Sequence, residues 1–506
     1  MDLLLTHGYY LYEDPKERAV MRPYPPLGIL YIASHLKAKG FDVGVFDTTF
    51  SSPEAFEEYV ARVRPPVVGL YANLMTRPAV LAQIRLCKRY GATVVVGGPE
   101  PANYIEEYLA RGADVVVIGE GEQTMEELLP HLARYELSSL ESIRGIAFRT
   151  DETTVMQTAP RPYLEDLDAQ PFPDRAAIDM DAYVRIWREH HGRGSVSLIT
   201  ARGCPYKCTW CSHAVYGYSH RRRSPHNVAD EVEHLLEAYG PDMLWYADDV
   251  FTIKPSWLFA YAEELNRRGL KIPFETISRE DRLNEAVVQT LAEMGCFRLW
   301  IGSESGSQRI LDAMQRRTDA GRVRAMIRLL QRYRIEAGLF IMLGYEGEDL
   351  TDIEATVDLL KAAPPDQFLT TLSYPIKGTP YFEQVADRVI ALKPWDEGSD
   401  RDFTVTGRRS RRFYRHATRW MTNEVAWQKQ RQSPRKNLSK MTSTFIAAKV
   451  GRLGMLMTKN EVESMSRRAG ESESRRIGEP KNRGARDEDS PTPRLFDSPT
   501  HKKRYQ

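Results

Sequence analysis

Three of the five cysteines in this 506-residue chain, Cys204, Cys208 and Cys211, fall within eight residues. They lie in Thr200-Ala201-Arg202-Gly203-Cys204-Pro205-Tyr206-Lys207-Cys208-Thr209-Trp210-Cys211, a loop directly after an expected strand. Thiolates ligate zinc and iron–sulfur clusters. A structural zinc needs a fourth ligand, for which His213 is a candidate, but closed zinc sites usually pair two knuckles and no second one occurs. Three thiolates on one loop can instead hold three irons of a cubane cluster and leave the fourth iron open as a binding site. The other two cysteines read as small buried residues, Cys87 in the middle of a predicted helix and Cys296 after Gly295 at a helix end. Five unevenly spaced cysteines are no disulfide framework.

The elements that must position this loop are strands alternating with helices. After a boundary near residue 180, strands are expected at Val196–Thr200, Met243–Asp248, Pro273–Ser278, Arg298–Ser303, Gly338–Leu343 and Thr370–Tyr374. Helices such as Pro225–Tyr239, Ser256–Arg268, Asn284–Met294 and Ala320–Tyr333 fill the gaps. Six such units predict a partial (β/α)6 TIM-like barrel, open on one side. The first 150 residues alternate in the same way, with strands at Asp2–Thr6, Asp42–Asp47, Val67–Ala72, Thr93–Gly97 and Val115–Ile118. Their unbroken Val, Leu and Ile runs suit strands buried on both faces, and hence a doubly wound, Rossmann/flavodoxin-like α/β sheet. Ligands of such sheets sit at the carboxyl ends of the strands, which here carry Thr6-His7-Gly8-Tyr9, Tyr71-Ala72-Asn73, Gly97-Gly98-Pro99-Glu100 and Gly119-Glu120-Gly121-Glu122.

The expected organisation is an N-terminal domain over 1–140, a hairpin and linker over 141–185, the barrel over 186–400, a helical extension over 401–464 and a disordered basic tail over 465–506. Within the extension, Phe413, Tyr414, Ala417 and Trp420 share an apolar helix face. An apolar fraction of 42% excludes wholesale disorder, and no apolar run reaches the length of a membrane span. Met1–His7 reads as a first strand rather than a signal peptide, so a cytoplasmic protein is expected. The net charge of +1 conceals 26 Lys and Arg against 11 Asp and Glu from Arg401 to Gln506. Without interleaved aromatics this basic end reads as solvated rather than as a nucleic-acid groove. Arg221-Arg222-Arg223 is likewise expected to be a solvated loop, and His7 at its strand end is not ranked as a ligand.

The C-x-x-x-C-x-x-C spacing with Trp210 before the last cysteine resembles the signature of the radical S-adenosylmethionine (SAM) superfamily. The resemblance implies a 4Fe–4S cluster on Cys204, Cys208 and Cys211, with SAM on the open iron. It places Asp248 and Asp249 against the methionyl amine, Glu304 and Ser305 near ribose and sulfonium, and Trp210 and Gly344 among the other SAM contacts. Phe340 stands where this family often has a glycine on its adenine-contacting strand. The N-terminal segments Pro25-Pro26-Leu27-Gly28-Ile29-Leu30-Tyr31-Ile32-Ala33, Gly97-Gly98-Pro99 and Gly119-Glu120-Gly121-Glu122 resemble the cobalamin-binding domain fused to radical enzymes. That class includes the anaerobic magnesium-protoporphyrin ester cyclase and radical C-methyltransferases. Cobalamin contacts are then expected from Tyr9, Asn73, Gly97, Gly98, Pro99, Gly119, Glu120 and Gly121. No D-x-H-x-x-G string, the usual source of a lower cobalt ligand, occurs.

The activity this implies is methyl transfer to an unactivated carbon through methylcobalamin and a 5′-deoxyadenosyl radical, fed by an electron donor such as flavodoxin or ferredoxin. Oxidative cyclisation or hydroxylation, or a radical enzyme whose first domain no longer binds cobalamin, are the alternatives. Methylthiotransferases acting on tRNA, which hold a second cluster on three cysteines of the N-terminal domain, are disfavoured because that domain here offers only Cys87. A non-catalytic scaffold binding RNA is disfavoured by the intact cysteine triad. The substrate, a small molecule or a lipid- or porphyrin-like one, is expected to meet residues past Pro380, including Phe413, Tyr414 and Trp420.

Overall fold

The computed structural model describes residues 1–133, 137–433 and 437–464. Strands β1 (Leu3–His7), β2 (Val43–Phe46), β3 (Val67–Tyr71), β4 (Thr93–Gly97) and β5 (Val115–Val117) form a parallel sheet in the order β2-β1-β3-β4-β5. Both faces are buried. Val94 and Val96 enter one core with Val68 and Ile84, while Val95 enters the other with Leu36, Val115 and Leu128. Successive side chains of a strand point to opposite faces, so a Val-Val-Val run serves two helix layers at once. β6 (Ile146–Arg149) and β7 (Val155–Gln157) extend the sheet antiparallel beyond β5. The hairpin expected in the linker is therefore part of the first sheet.

The second sheet is built from the parallel strands β8 (Ser195–Leu198), β11 (Met243–Tyr246), β12 (Phe274–Ser278), β13 (Cys296–Glu304), β14 (Glu336–Leu343) and β15 (Gln367–Leu372), while β9 (Ala201–Arg202) and β10 (Arg221–Arg222) form a separate two-residue ribbon. Its six long strands run in the order β15-β14-β13-β12-β11-β8, all neighbours parallel, so the barrel is open between β15 and β8. Cys296 is buried at the start of β13 and Cys87 in helix Arg77–Arg89, both as expected. Helix Arg411–Gln432 buries Phe413, Tyr414, Ala417 and Trp420 against the barrel core. The tail over 465–506 lies outside the described residues.

A return of the chain after the barrel ties it to the first sheet. Arg77, fully buried, ion-pairs with Glu100 and with Asp400 at 2.7 Å, and its guanidinium lies 4.6 Å from the rings of both Tyr104 and Trp395. Tyr104 donates to Asp400 at 2.6 Å and Tyr108 to Glu100 at 2.7 Å, so each carboxylate is held by a cation and a hydroxyl.

Candidate active site

The cysteine loop leaves the barrel through a closed neck. β9 and β10 pair antiparallel, Arg202 opposite Arg221 and Ala201 opposite Arg222, and the chain between them carries all three cysteines. Asp248, just past β11, fastens this neck: its carboxylate accepts from Thr200 N at 2.7 Å, Ala201 N at 3.2 Å, Thr200 Oγ1 and Arg222 Nη2 at 2.9 Å. Both oxygens accept and the side chain is buried, so Asp248 holds the neck of the loop. Gly203 turns the chain out of the neck at φ +84°, where an added Cβ would lie 2.6 Å from the Ser219 carbonyl oxygen. Farther along, Thr209 N donates to Met314 O at 3.1 Å, and Thr209 O accepts from Tyr381 N at 2.9 Å. The loop is thus held by the barrel at both its neck and its middle.

The thiols occupy a buried, partly cationic setting. The Cys208 thiol is pushed down to about 7, chiefly by a hydrogen bond from Cys211 and further by Arg279, against the effect of burial. The same bond raises Cys211, and burial pushes Cys204 up to about 11. Arg316 Nη1 lies 3.9 Å from Cys208 Sγ while its Nη2 donates to Gly302 O at 2.7 Å. Arg279 lies over the Tyr206 ring at 3.7 Å. Among the described residues no three Cys, His, Asp or Glu side chains converge as a single bound ion would require. A cubane asks for something else, since each thiolate takes a different iron. Around the loop, Trp210 Nε1, His213 Nε2, His220 Nε2, Arg279 Nη1, Ser303 Oγ and Arg316 Nε are buried without a hydrogen-bond partner among the described residues. Buried polar atoms are nearly always paired, and so many orphans beside three thiols fit a site built for a polar, charged ligand. His213, once a conceivable zinc ligand, instead meets Gly217 O through Nδ1 at 3.2 Å.

The other residues assigned to SAM sit at neighbouring strand ends. Glu304 ends β13 at φ +58°, an uncommon conformation for a residue with a side chain, and burial followed by Cys208 pushes its carboxyl up to about 8. Ser305 is buried and accepts from Ser307 N at 3.1 Å. Gly344 follows β14 and donates to Glu348 at 2.6 Å. Trp210 packs beside Met314, Met342, Tyr345 and Tyr381. Asp249 turns away from the neck into an interdomain cavity. There, desolvation and then Asp248 push its carboxyl up to about 6.

That cavity, of about 720 Å³, lies between the carboxyl ends of the first sheet and the cysteine loop. Tyr9, Asn73, Gly97, Gly98, Pro99, Gly119, Glu120 and Gly121 all line it, together with Gly203, Ser212, His213 and Asp249 from the barrel side. Gly98 has φ +112°, and a Cβ there would stand 2.4 Å from Ala72 O, so only glycine fits this strand end. His7 lines the cavity with both ring nitrogens engaged, Nε2 with Asp47 at 2.9 Å and Nδ1 with Tyr9 N at 3.2 Å and Thr48 Oγ1 at 3.1 Å. Glu120, which lines the cavity too, has its carboxylate bonded by Arg202 at 2.7 Å, Arg221 at 2.8 Å and Leu164 N at 2.9 Å. Arg202 also reaches Glu122 at 2.6 Å. These four side chains latch the first sheet to the neck of the cysteine loop.

The expected solvated arginines are thus structural. Arg221 holds Glu120, Arg222 holds Asp248 and Arg223 holds the fully buried Glu231. The run was visible in the sequence, but its buried acidic partners are distant in the chain.

Residues 19–129 match the B12 binding domain family, and residues 198–360 match the Radical SAM superfamily. The chain thus joins a segment that matches the B12 binding domain to one that matches the Radical SAM superfamily. It is 27% identical over 395 residues to an uncharacterized methyltransferase of Pyrococcus horikoshii, covering 76% of this chain and 83% of that one. It is 25% identical over 376 residues to the anaerobic magnesium-protoporphyrin IX monomethyl ester cyclase of Rubrivivax gelatinosus, covering 72% and 67%. The fold is shared with the radical SAM methyltransferase TsrM of Kitasatospora setae, solved with tryptophan and a SAM analogue (TM-score 0.66, 19% identity, 79% of this chain and 82% of that one). It is shared also with the cobalamin-dependent enzyme OxsB (TM-score 0.63, 15% identity, 94% and 80%).

Proposed function

We propose that this chain is a radical SAM enzyme that transfers a methyl group to an unactivated carbon, using a 4Fe–4S cluster on Cys204, Cys208 and Cys211 and cobalamin at the ends of the first sheet. The observation that carries the reading is a cavity lined both by those strand ends and by the cysteine loop. Bound there, the cluster would supply the electron that cleaves SAM, and cobalamin a transferable methyl group.

The chain's own residues then bind, orient and exclude. Arg279 and Arg316 put positive charge beside the thiolates. Glu304, buried with Arg316 Nε at 3.8 Å from its carboxylate, suits a ribose hydroxyl. Asp249, titrating at about 6, is mostly a carboxylate at neutral pH and suits an ammonium group. Trp210, Ser305 and Gly344 complete the SAM side. Tyr9, Asn73, Gly97, Gly98, Pro99, Gly119 and Gly121 offer a surface of backbone and short side chains to a broad cofactor. The latch closes the junction against water, which keeps reactive species from being quenched.

The test is anaerobic reconstitution with iron, sulfide and hydroxocobalamin, followed by metal analysis and turnover of SAM with reduced flavodoxin or dithionite. About four irons and about one cobalt per chain, with 5′-deoxyadenosine formed and methyl groups transferred, is the expected result. Iron without cobalt refutes the cobalamin step. Products oxidised but not methylated would move the enzyme toward the activity named for its Rubrivivax relative.

A further inference from the structure

A second cavity, of about 410 Å³, opens at the unpaired edge of the barrel, between the end of β15 and the start of helix Arg411–Gln432. Arg401, Arg408, Arg411 and Arg415 line it with Ser373 and Tyr374, and among the described residues no carboxylate does. Arg401, Arg411 and Arg415 are exposed and make no ion pair among the described residues, whereas Arg412 on the same helix pairs with Glu461 at 3.2 Å. Arg408 forms the cavity floor. It donates to the Ser373 carbonyl and, at 2.8 Å, to Thr404 Oγ1, while its Nε is buried with no hydrogen-bond partner among the described residues. Burial holds its guanidinium below its ordinary value, as for a cation short of counter-charge. Four guanidinium groups gathered around one concavity repel each other, and an anion seated among them relieves that cost.

The cavity adjoins the strand end assigned to SAM. A Cβ added to Gly344 would lie 2.7 Å from Leu372 Cδ1 and 3.1 Å from Tyr414 Cζ, and both residues line the crevice. A small molecule anchored there by a charged group would have its body at the mouth of the barrel. We propose that this crevice binds the oxyanion of a phosphate- or carboxylate-bearing small-molecule substrate. Its role as a substrate site rests on the radical reading above. The floor arginine gives a fixed donor and the three rim arginines give adjustable ones, a pattern suited to a multiply charged group. Of the residues expected to meet substrate, only Tyr414 borders this crevice; Phe413 and Trp420 are core.

The experiment is calorimetric titration of the anaerobically reconstituted full chain with inorganic pyrophosphate and, separately, with citrate. Saturable binding of one anion per chain is expected, and the stronger probe tells phosphate from carboxylate. Arg411→Gln/Arg415→Gln should weaken that binding about tenfold or more. Arg412→Gln/Arg419→Gln removes the same charge from the same helix outside the crevice and should change it by less than about twofold. Single Arg401→Gln serves as a second site variant. No binding by the wild-type chain, or equal loss in site and control variants, overturns the proposal. So does binding of heparin or polyglutamate without pyrophosphate or citrate, which would indicate a surface for an acidic macromolecule. Cleavage of SAM by the wild-type chain is read in parallel. If it fails while the anion binds, the radical reading falls and the anion site stands.

Discussion

Removing one member of the interdomain latch should cost both stability and coupling between the two halves of the site. Arg202→Met leaves Glu120 with Arg221 but strips Glu122 of its 2.6 Å partner, in a place where both side chains are about one-twentieth exposed. Breaking a buried ion pair by deleting one partner costs about 3–5 kcal/mol, because the remaining charge has lost its water as well. Glu122→Gln should cost less, since Arg202 keeps Glu120. The double variant should then be more stable than the sum of the two losses predicts, by about 2 kcal/mol. Denaturant midpoints of the anaerobically reconstituted chain, followed by tryptophan fluorescence, measure this coupling. A second readout separates a latch from a merely structural pair. Glu122→Gln should form 5′-deoxyadenosine at close to the wild-type rate, yet lose methylated product by roughly tenfold to a hundredfold, because a small misplacement between two cofactors falls on transfer alone. A coupling below about 0.5 kcal/mol, or product and 5′-deoxyadenosine falling together, would refute the latch.

Four further outcomes are expected. Asp248→Ala frees four donors at the neck and should lower both stability and iron content, whereas Asp249→Asn should keep the iron and raise the KM for SAM; metal analysis and steady-state kinetics compare them. Arg77→Met leaves Glu100 and Asp400 buried without their cation and should lose about 3–5 kcal/mol in denaturant unfolding. Gly98→Ala sets a methyl group 2.4 Å from Ala72 O at φ +112°, so a loss of about 3 kcal/mol with reduced cobalt retention should follow. Glu348 is raised by burial from 4.5 to about 8. The folded chain therefore binds that proton more tightly than the unfolded one, and the stability linked to it is full below about 4.5 and lost as pH rises to about 8. Glu348→Gln should flatten this part of the stability–pH curve, which otherwise spans on the order of a few kcal/mol.

The parts of the fold legible in the sequence were those fixed by local pattern. Val94-Val95-Val96 reads as a doubly buried strand because each residue need only be apolar, whichever face it takes. The cysteine spacing reads as a cluster loop because ligation demands that residue type at that spacing. What stayed illegible depends on partners far along the chain. Nothing local says that Arg221, Arg222 and Arg223 meet Glu120, Asp248 and Glu231, or that the segment at Trp395 and Asp400 returns to cover Arg77. A charge run looks the same whether it faces water or a buried carboxylate.

The pair Asp248-Asp249 shows how much one residue of register decides. Past the end of β11 at Tyr246, the two neighbouring carboxylates face different surroundings. Asp248 points back into the barrel wall, where two amides, a hydroxyl and Arg222 consume it. Asp249 lines the cavity, where desolvation and then the charge of Asp248 raise its affinity for a proton. One holds the loop that carries the thiols; the other remains free for a ligand. The same division recurs at the first sheet, where Glu120 is spent on the latch while Gly119 and Gly121 on either side line the cavity through their backbone. At both strand ends the charged side chain fixes the geometry, and the residue beside it faces the ligand space.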